Sequence, residues 1–271
     1  MDADNPAVPT EMAPPGTGGE QTVTGRTEGP ILLGPVVPPK PWGPWASLGW
    51  TMLCLAVTFG VQIGALIAFA VANGSKENLI GVSSSALFLS VATLISTLTI
   101  FGLVALLIRI RRWTVHQYLA LTMPTARQAA LALGGLTVLI ATTDLITYLV
   151  GRPLVPQVMV DAYRSGWVPL LLITILIVAP VGEEVLFRGF LYRGIASSRW
   201  GPGVAIVASS VGWASLHIQY DLYSIGAILV MGLYLGEVRR RTRSLPLTMI
   251  LHGFANTVAT IEVAIMTAGL S

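Results

Sequence analysis

Seven apolar stretches constrain this chain more than any other feature. They run over residues 46–72, 85–108, 128–150, 167–198, 204–220, 222–238 and 245–269. A spanning helix needs about 20 mostly apolar residues, and most of these stretches approach or exceed that length. Only 11% of the 271 residues are charged, less than half of the roughly 25% usual in a soluble domain. The pattern predicts an all-α fold, a polytopic transmembrane helix bundle of about seven spans, within a range of six to eight. Read as one helix, the fourth stretch is roughly 47 Å long, more than a ~30 Å hydrocarbon core. It must tilt, project or bend, and Pro180 with Gly182 marks the bend. No internal repeat is visible, so an inverted-repeat transporter finds no support.

Residues 1–42 are rich in Pro, Gly and Thr and predict a disordered cytoplasmic tail, with no apolar signal-peptide core. Residues 43–160 supply the N-terminal transmembrane helices, and residues 161–271 hold the polar motifs described below. Residues 113–126, with Trp113, His116 and Tyr118, suit an interfacial helix. Arg109, Arg111, Arg112 and Arg127 follow the second stretch, Arg193 and Arg199 the fourth, and the run Arg239-Arg240-Arg241-Thr242-Arg243 the sixth. Basic linkers face the cytoplasm. That rule puts the N-terminus inside and the C-terminus outside, in a multi-pass cell-membrane protein whose constant partner is the lipid bilayer. The same placement accounts for the net charge of +3 as topology, not as a nucleic-acid patch. Cys54 is the sole cysteine, which excludes an intrachain disulfide and a cysteine-based zinc site.

Three polar motifs lie inside these stretches: Glu183-Glu184-x-x-x-Arg188, Trp213-x-x-x-His217 and His252-x-x-x-Asn256. Ionisable groups are costly at membrane depth and mark function there. Glu183 and Glu184 are about 100° apart on a helix, so they meet different neighbours. Glu184 and Arg188 are spaced i,i+4 with the acid first, which favours an ion pair and leaves Glu183 to face a water-filled cavity. His217 follows Trp213 by one turn, and His252 and Asn256 share one face of the last span. One reading gives these groups only the task of holding helices together. The other gathers them into a site, where a carboxylate base, imidazoles and an amide donor activate water and stabilise a tetrahedral intermediate. Glu183, His217 and His252 are also ligand types for a divalent metal such as zinc. Spacing does not separate metal-bound water from water activated by Glu and His alone. Depth along straight helices is uneven: Glu183 and His217 come out ~22 and ~24 Å from their entries, but His252 only ~10 Å.

The order of these motifs resembles the CPBP family of intramembrane proteases (CAAX prenyl proteases and bacteriocin-processing enzymes, also called Abi), whose pattern is EExxxR, FxxxH, Hxxx[ND]. Here it reads Glu183-Glu184-Val185-Leu186-Phe187-Arg188, then Trp213-Ala214-Ser215-Leu216-His217, then His252-Gly253-Phe254-Ala255-Asn256. The resemblance implies a catalytic core within residues 161–271 and an intramembrane endopeptidase acting on membrane-associated peptide or protein substrates. It implies Glu183 with His217 as the pair that activates water, His252 and Asn256 as oxyanion donors, and Glu184 with Arg188 as supports. Family members are described both as metalloproteases and as glutamate-dependent proteases, so a zinc-type ion on Glu183, His217 and His252 is an open expectation. Trp213 departs from the family's Phe. It keeps an aromatic wall beside His217 and is expected to alter pocket shape more than chemistry. The alternative within the family is a non-catalytic immunity or scaffold protein. Outside it, the alternative is a channel or transporter that uses Asp144 with the Glu/His cluster.

Overall fold

The computed structural model describes residues 39–72 and 85–269. The expected tail up to residue 38 and the expected loop at 74–81 lie outside the described residues. All regular structure among the described residues is helical. Helix α1 (Pro44–Ala72) begins on a proline, whose missing N–H costs nothing at that position. Helix α2 (Ala86–Ile110) is capped by Ser85, which accepts from the Phe88 N–H. Helix α3 (Val115–Leu119) is a five-residue segment in the region expected to be interfacial, and His116 is exposed on it. Helix α4 (Ala126–Leu149) starts with a reciprocal capping box between Thr125 and Gln128. Helices α5 (Gln157–Arg164), α6 (Val168–Ala196), α7 (Gly201–Ala214), α8 (Leu222–Thr242) and α9 (Leu245–Gly269) complete the bundle.

Helices α1, α2, α4, α6, α8 and α9 are long and apolar enough to cross a membrane by length and composition. Helix α7 is apolar but shorter, about 21 Å, and the turn residues 215–220 carry the chain on toward α8. Gly236 packs on Ile206, and Gly232 packs on Ser210 and Trp213, so α7 runs antiparallel beside α8. His217 therefore lies in the turn after α7, not on its helical face as the one-turn spacing suggested. The cause is local: the imidazole Nδ1 bonds the Trp213 carbonyl, the acceptor that the His217 backbone N–H would take if the helix continued. That backbone N–H reaches the Ala214 carbonyl instead.

The core is built around α6. Every residue from Val185 to Leu191 is buried, as a helix apolar nearly all round requires. Phe187, Phe190 and Leu191 pack with Tyr118, Trp213 and Leu245 from α3, α7 and α9. In contrast, Ile63, Ile67, Leu98, Leu131 and Val138 on α1, α2 and α4 point outward, the surface that lipid covers in a bundle of this kind.

Helix α6 is irregular where a bend was expected. Pro180 offers no N–H to the carbonyl four residues back, and its ring crowds that carbonyl. The helix widens to π geometry at Thr174–Val178 and again at Val185–Leu191. Side chains from three other helices serve the carbonyls around these segments. Asn256 donates to Ile175 at 2.8 Å, Thr97 to Val178 at 3.3 Å, and Arg239 to Arg188 at 3.2 Å. An unmet carbonyl in hydrocarbon costs several kcal/mol, so these partners stabilise the widened segments.

Gly253 backs onto the first of these segments. A Cβ there would lie 2.6 Å from the Leu176 carbonyl oxygen, and backbone cannot swing aside as a flexible side chain can. Gly253→Ala is expected to push α9 off α6, stretch the Asn256–Ile175 bond and displace His252. Overpacking of this kind costs about 1–3 kcal/mol. A lowered thermal midpoint in detergent together with reduced turnover is the expected result, and an unchanged midpoint would contradict the close approach.

Candidate active site

The two carboxylates of the first motif part company as their spacing predicted. Glu184 Oε1 accepts from Arg188 Nη1 at 2.9 Å, and both side chains are fully buried. Arg188 Nη2 donates to the Gly232 carbonyl at 3.2 Å, and its guanidinium lies 4.6 Å from the Trp213 ring centre. Such a cation over an indole face is favourable when desolvated. Glu183 projects the other way. Its side chain remains 28% exposed and lines a cavity of about 900 Å³.

Helix α9 brings His252 against both acids. Its Nδ1 lies 3.2 Å from Glu184 Oε1, and its Nε2 lies 3.8 Å from Glu183 Oε2. An ionised carboxylate only accepts, so the Nδ1 proton is assigned to the Glu184 contact. His217 is oriented by the same logic. Its Nδ1 sits 3.1 Å from the Trp213 carbonyl, which also only accepts, so Nε2 is the nitrogen left for the cavity. Trp213 stands edge-on to both imidazoles, at 5.2 Å from His217 and 5.0 Å from His252. Its indole Nε1 donates to Glu183 Oε2 at 2.5 Å.

Glu183, Glu184, Arg188, Trp213, His217 and His252 therefore form one connected cluster. Asn256 lines the cavity beside it, and one of its two amide N–H bonds is committed to the Ile175 carbonyl. Asp144 and Glu262 line the same cavity. His116 is exposed on α3.

The uneven depth of His252 disappears in the folded chain. A Cβ on Gly189 would meet Leu245 within 3.2 Å, so α9 begins level with Gly189, not with the end of α6. Counted from that level, Glu184 lies roughly 8 Å up one helix and His252 roughly 10 Å up the other. The last turns of α6, Tyr192–Ala196, extend past the start of α9 and misled the straight-helix count.

Arg239 and Tyr220 escaped the sequence reading, whereas the Gly232-x-x-x-Gly236 spacing suits the helix packing that is found. Arg239 was grouped with the cytoplasmic basic run, yet it is buried and donates to the Arg188 and Leu119 carbonyls. Gly232 makes room for Arg188 and Trp213. Tyr220 stacks on His217 at 5.9 Å. Its position three residues after His217 was the available signal.

The donor types suit a zinc-type ion, but their arrangement does not. Among the described residues no three His, Cys, Asp or Glu side chains gather closely enough to hold one. The Trp213 ring stands edge-on to both imidazoles, and its N–H occupies Glu183 Oε2.

Fold and cluster together define an intramembrane helix bundle with a buried Glu/His site. Residues 165–258 match the family model described as "Type II CAAX prenyl endopeptidase Rce1-like". All three motifs lie within this matched segment. A protein of Escherichia coli described as "Uncharacterized 24.3 kDa protein" is 33% identical over 91 residues, covering 33% of this chain and 42% of that protein. The match thus spans about four-tenths of that curated relative's length. No solved structure matches the chain.

Proposed function

We propose that this chain is an intramembrane endopeptidase that hydrolyses peptide bonds of membrane-associated peptides or proteins, with Glu183 and His217 activating the water. The family match supports protease chemistry at family level. The observation that carries the finer reading is the division of labour between the paired acids. Glu184 is sealed against Arg188, while its neighbour Glu183 opens to the cavity.

In this reading a water beside Glu183 attacks the scissile carbonyl carbon and gives up a proton to Glu183, with His217 Nε2 as second acceptor. The tetrahedral oxyanion takes a hydrogen bond from the free N–H of Asn256, and from His252 when Nε2 also carries a proton. Collapse of the intermediate breaks the C–N bond, and the stored proton passes to the leaving amine. The cavity volume of about 900 Å³ falls within the usual range for ligand sites. The basic linkers support a cytoplasmic N-terminus, now without Arg239, which serves the core instead.

Turnover of a fluorogenic peptide library by the reconstituted protein is the test, with Glu183→Gln as control. No turnover by the wild type would favour the non-catalytic immunity or scaffold reading, and equal turnover by both would remove Glu183 from the role of base. A metal is a separate matter. Because the donors do not gather, turnover is expected to survive dialysis against a chelator. Activity lost on chelation and restored by zinc would mean that Glu183, His217 and His252 rearrange around an ion.

A further inference from the structure

Trp213 occupies the place of a phenylalanine in the resembled pattern, and its indole carries an N–H that phenylalanine lacks. That N–H donates to Glu183 Oε2 at 2.5 Å. Among the described residues it is the one hydrogen bond made by the Glu183 side chain, since His252 Nε2 stands off at 3.8 Å. The donor itself is held from several sides. Trp213 is 1% exposed. Arg188 lies over its ring, both imidazoles meet it edge-on, and a Cβ on Gly232 would come within 3.1 Å of its Cε3.

A glutamate side chain has several rotatable bonds, and its last torsion is broad. One short, charge-assisted bond from an immobile donor removes much of that freedom. With Oε2 tied to the indole, Oε1 is the oxygen left for a water in the cavity. We propose that Trp213 is a positioning residue of the hydrolytic site, acting through its indole N–H on Glu183. This inference rests on the endopeptidase reading, and it goes beyond a mere aromatic wall.

Trp213→Phe keeps a ring and removes the donor. Loss of a hydrogen bond to a charged group corresponds to a fall in kcat of about 10- to 100-fold. KM is expected to stay within roughly twofold, because the lost interaction orients the base and does not hold the substrate. Unchanged kcat in a folded Trp213→Phe protein, or a raised KM with kcat intact, would overturn the proposal. A wild-type protein without turnover would instead count against the endopeptidase reading.

A second measurement needs neither activity nor a folded Trp213→Phe variant. In protein labelled with 15N-tryptophan, one indole N–H resonance should lie downfield in the wild type and move upfield in Glu183→Ala. If no indole resonance moves, the bond to Glu183 is absent and the proposal falls.

Discussion

Glu183→Gln is expected to lower peptide turnover by about 10²- to 10⁴-fold, the range lost when a general base is removed. The substitution keeps the size of the side chain and an oxygen that can still accept from Trp213, so the fold should be retained. The thermal midpoint and the elution volume in detergent are expected to match the wild type. The comparison with Glu184→Gln is informative because the two acids are chain neighbours in unlike settings. Glu184 holds Arg188 and His252 at the buried end of the cluster, so its loss should damage stability as well as rate. A Glu183→Gln protein that turns over peptide at the wild-type rate would remove Glu183 from the role of base.

The second large effect is expected at Arg188. Arg188→Met leaves Glu184 fully buried without its ion-pair partner. Removing one member of a buried pair costs about 3–5 kcal/mol, because the remaining charge has no water to return to. Arg188→Met with Glu184→Gln should recover part of that loss, since the stranded charge disappears with its partner. Both partners are shielded from solvent, so added salt should change the midpoints little. Thermal unfolding of the three variants in detergent is the measurement. A single Arg188→Met protein as stable as the wild type would show that the pair does not hold α6 to its surroundings.

Much of the site was legible because its parts are local. The Glu184–Arg188 pair is an i,i+4 relation on one helix, and it forms even where that helix widens to π geometry. The separation of Glu183 from Glu184 follows from the angle between adjacent residues. Relations between helices were not legible in this way. Spacing placed His217 on the α7 face, whereas its own imidazole ends the helix by taking the Trp213 carbonyl. Arg239 read as one more cytoplasmic arginine, because nothing in a basic run reveals which member turns inward to serve a carbonyl at Arg188.

From the sequence by itself come the membrane bundle, a helix irregularity around Pro180, the three motifs and the division between a sealed and an open carboxylate. Each rests on composition or on spacing along one segment, where geometry is set by rise and turn per residue. The tertiary structure alone decided that α9 starts level with Gly189 and so delivers His252 to both acids. It alone committed Asn256 to a carbonyl of a π segment and aimed the Trp213 N–H at Glu183. These depend on how far one helix slides past another. Packing between bulky and small residues from distant parts of the chain sets that register, and no local spacing records it.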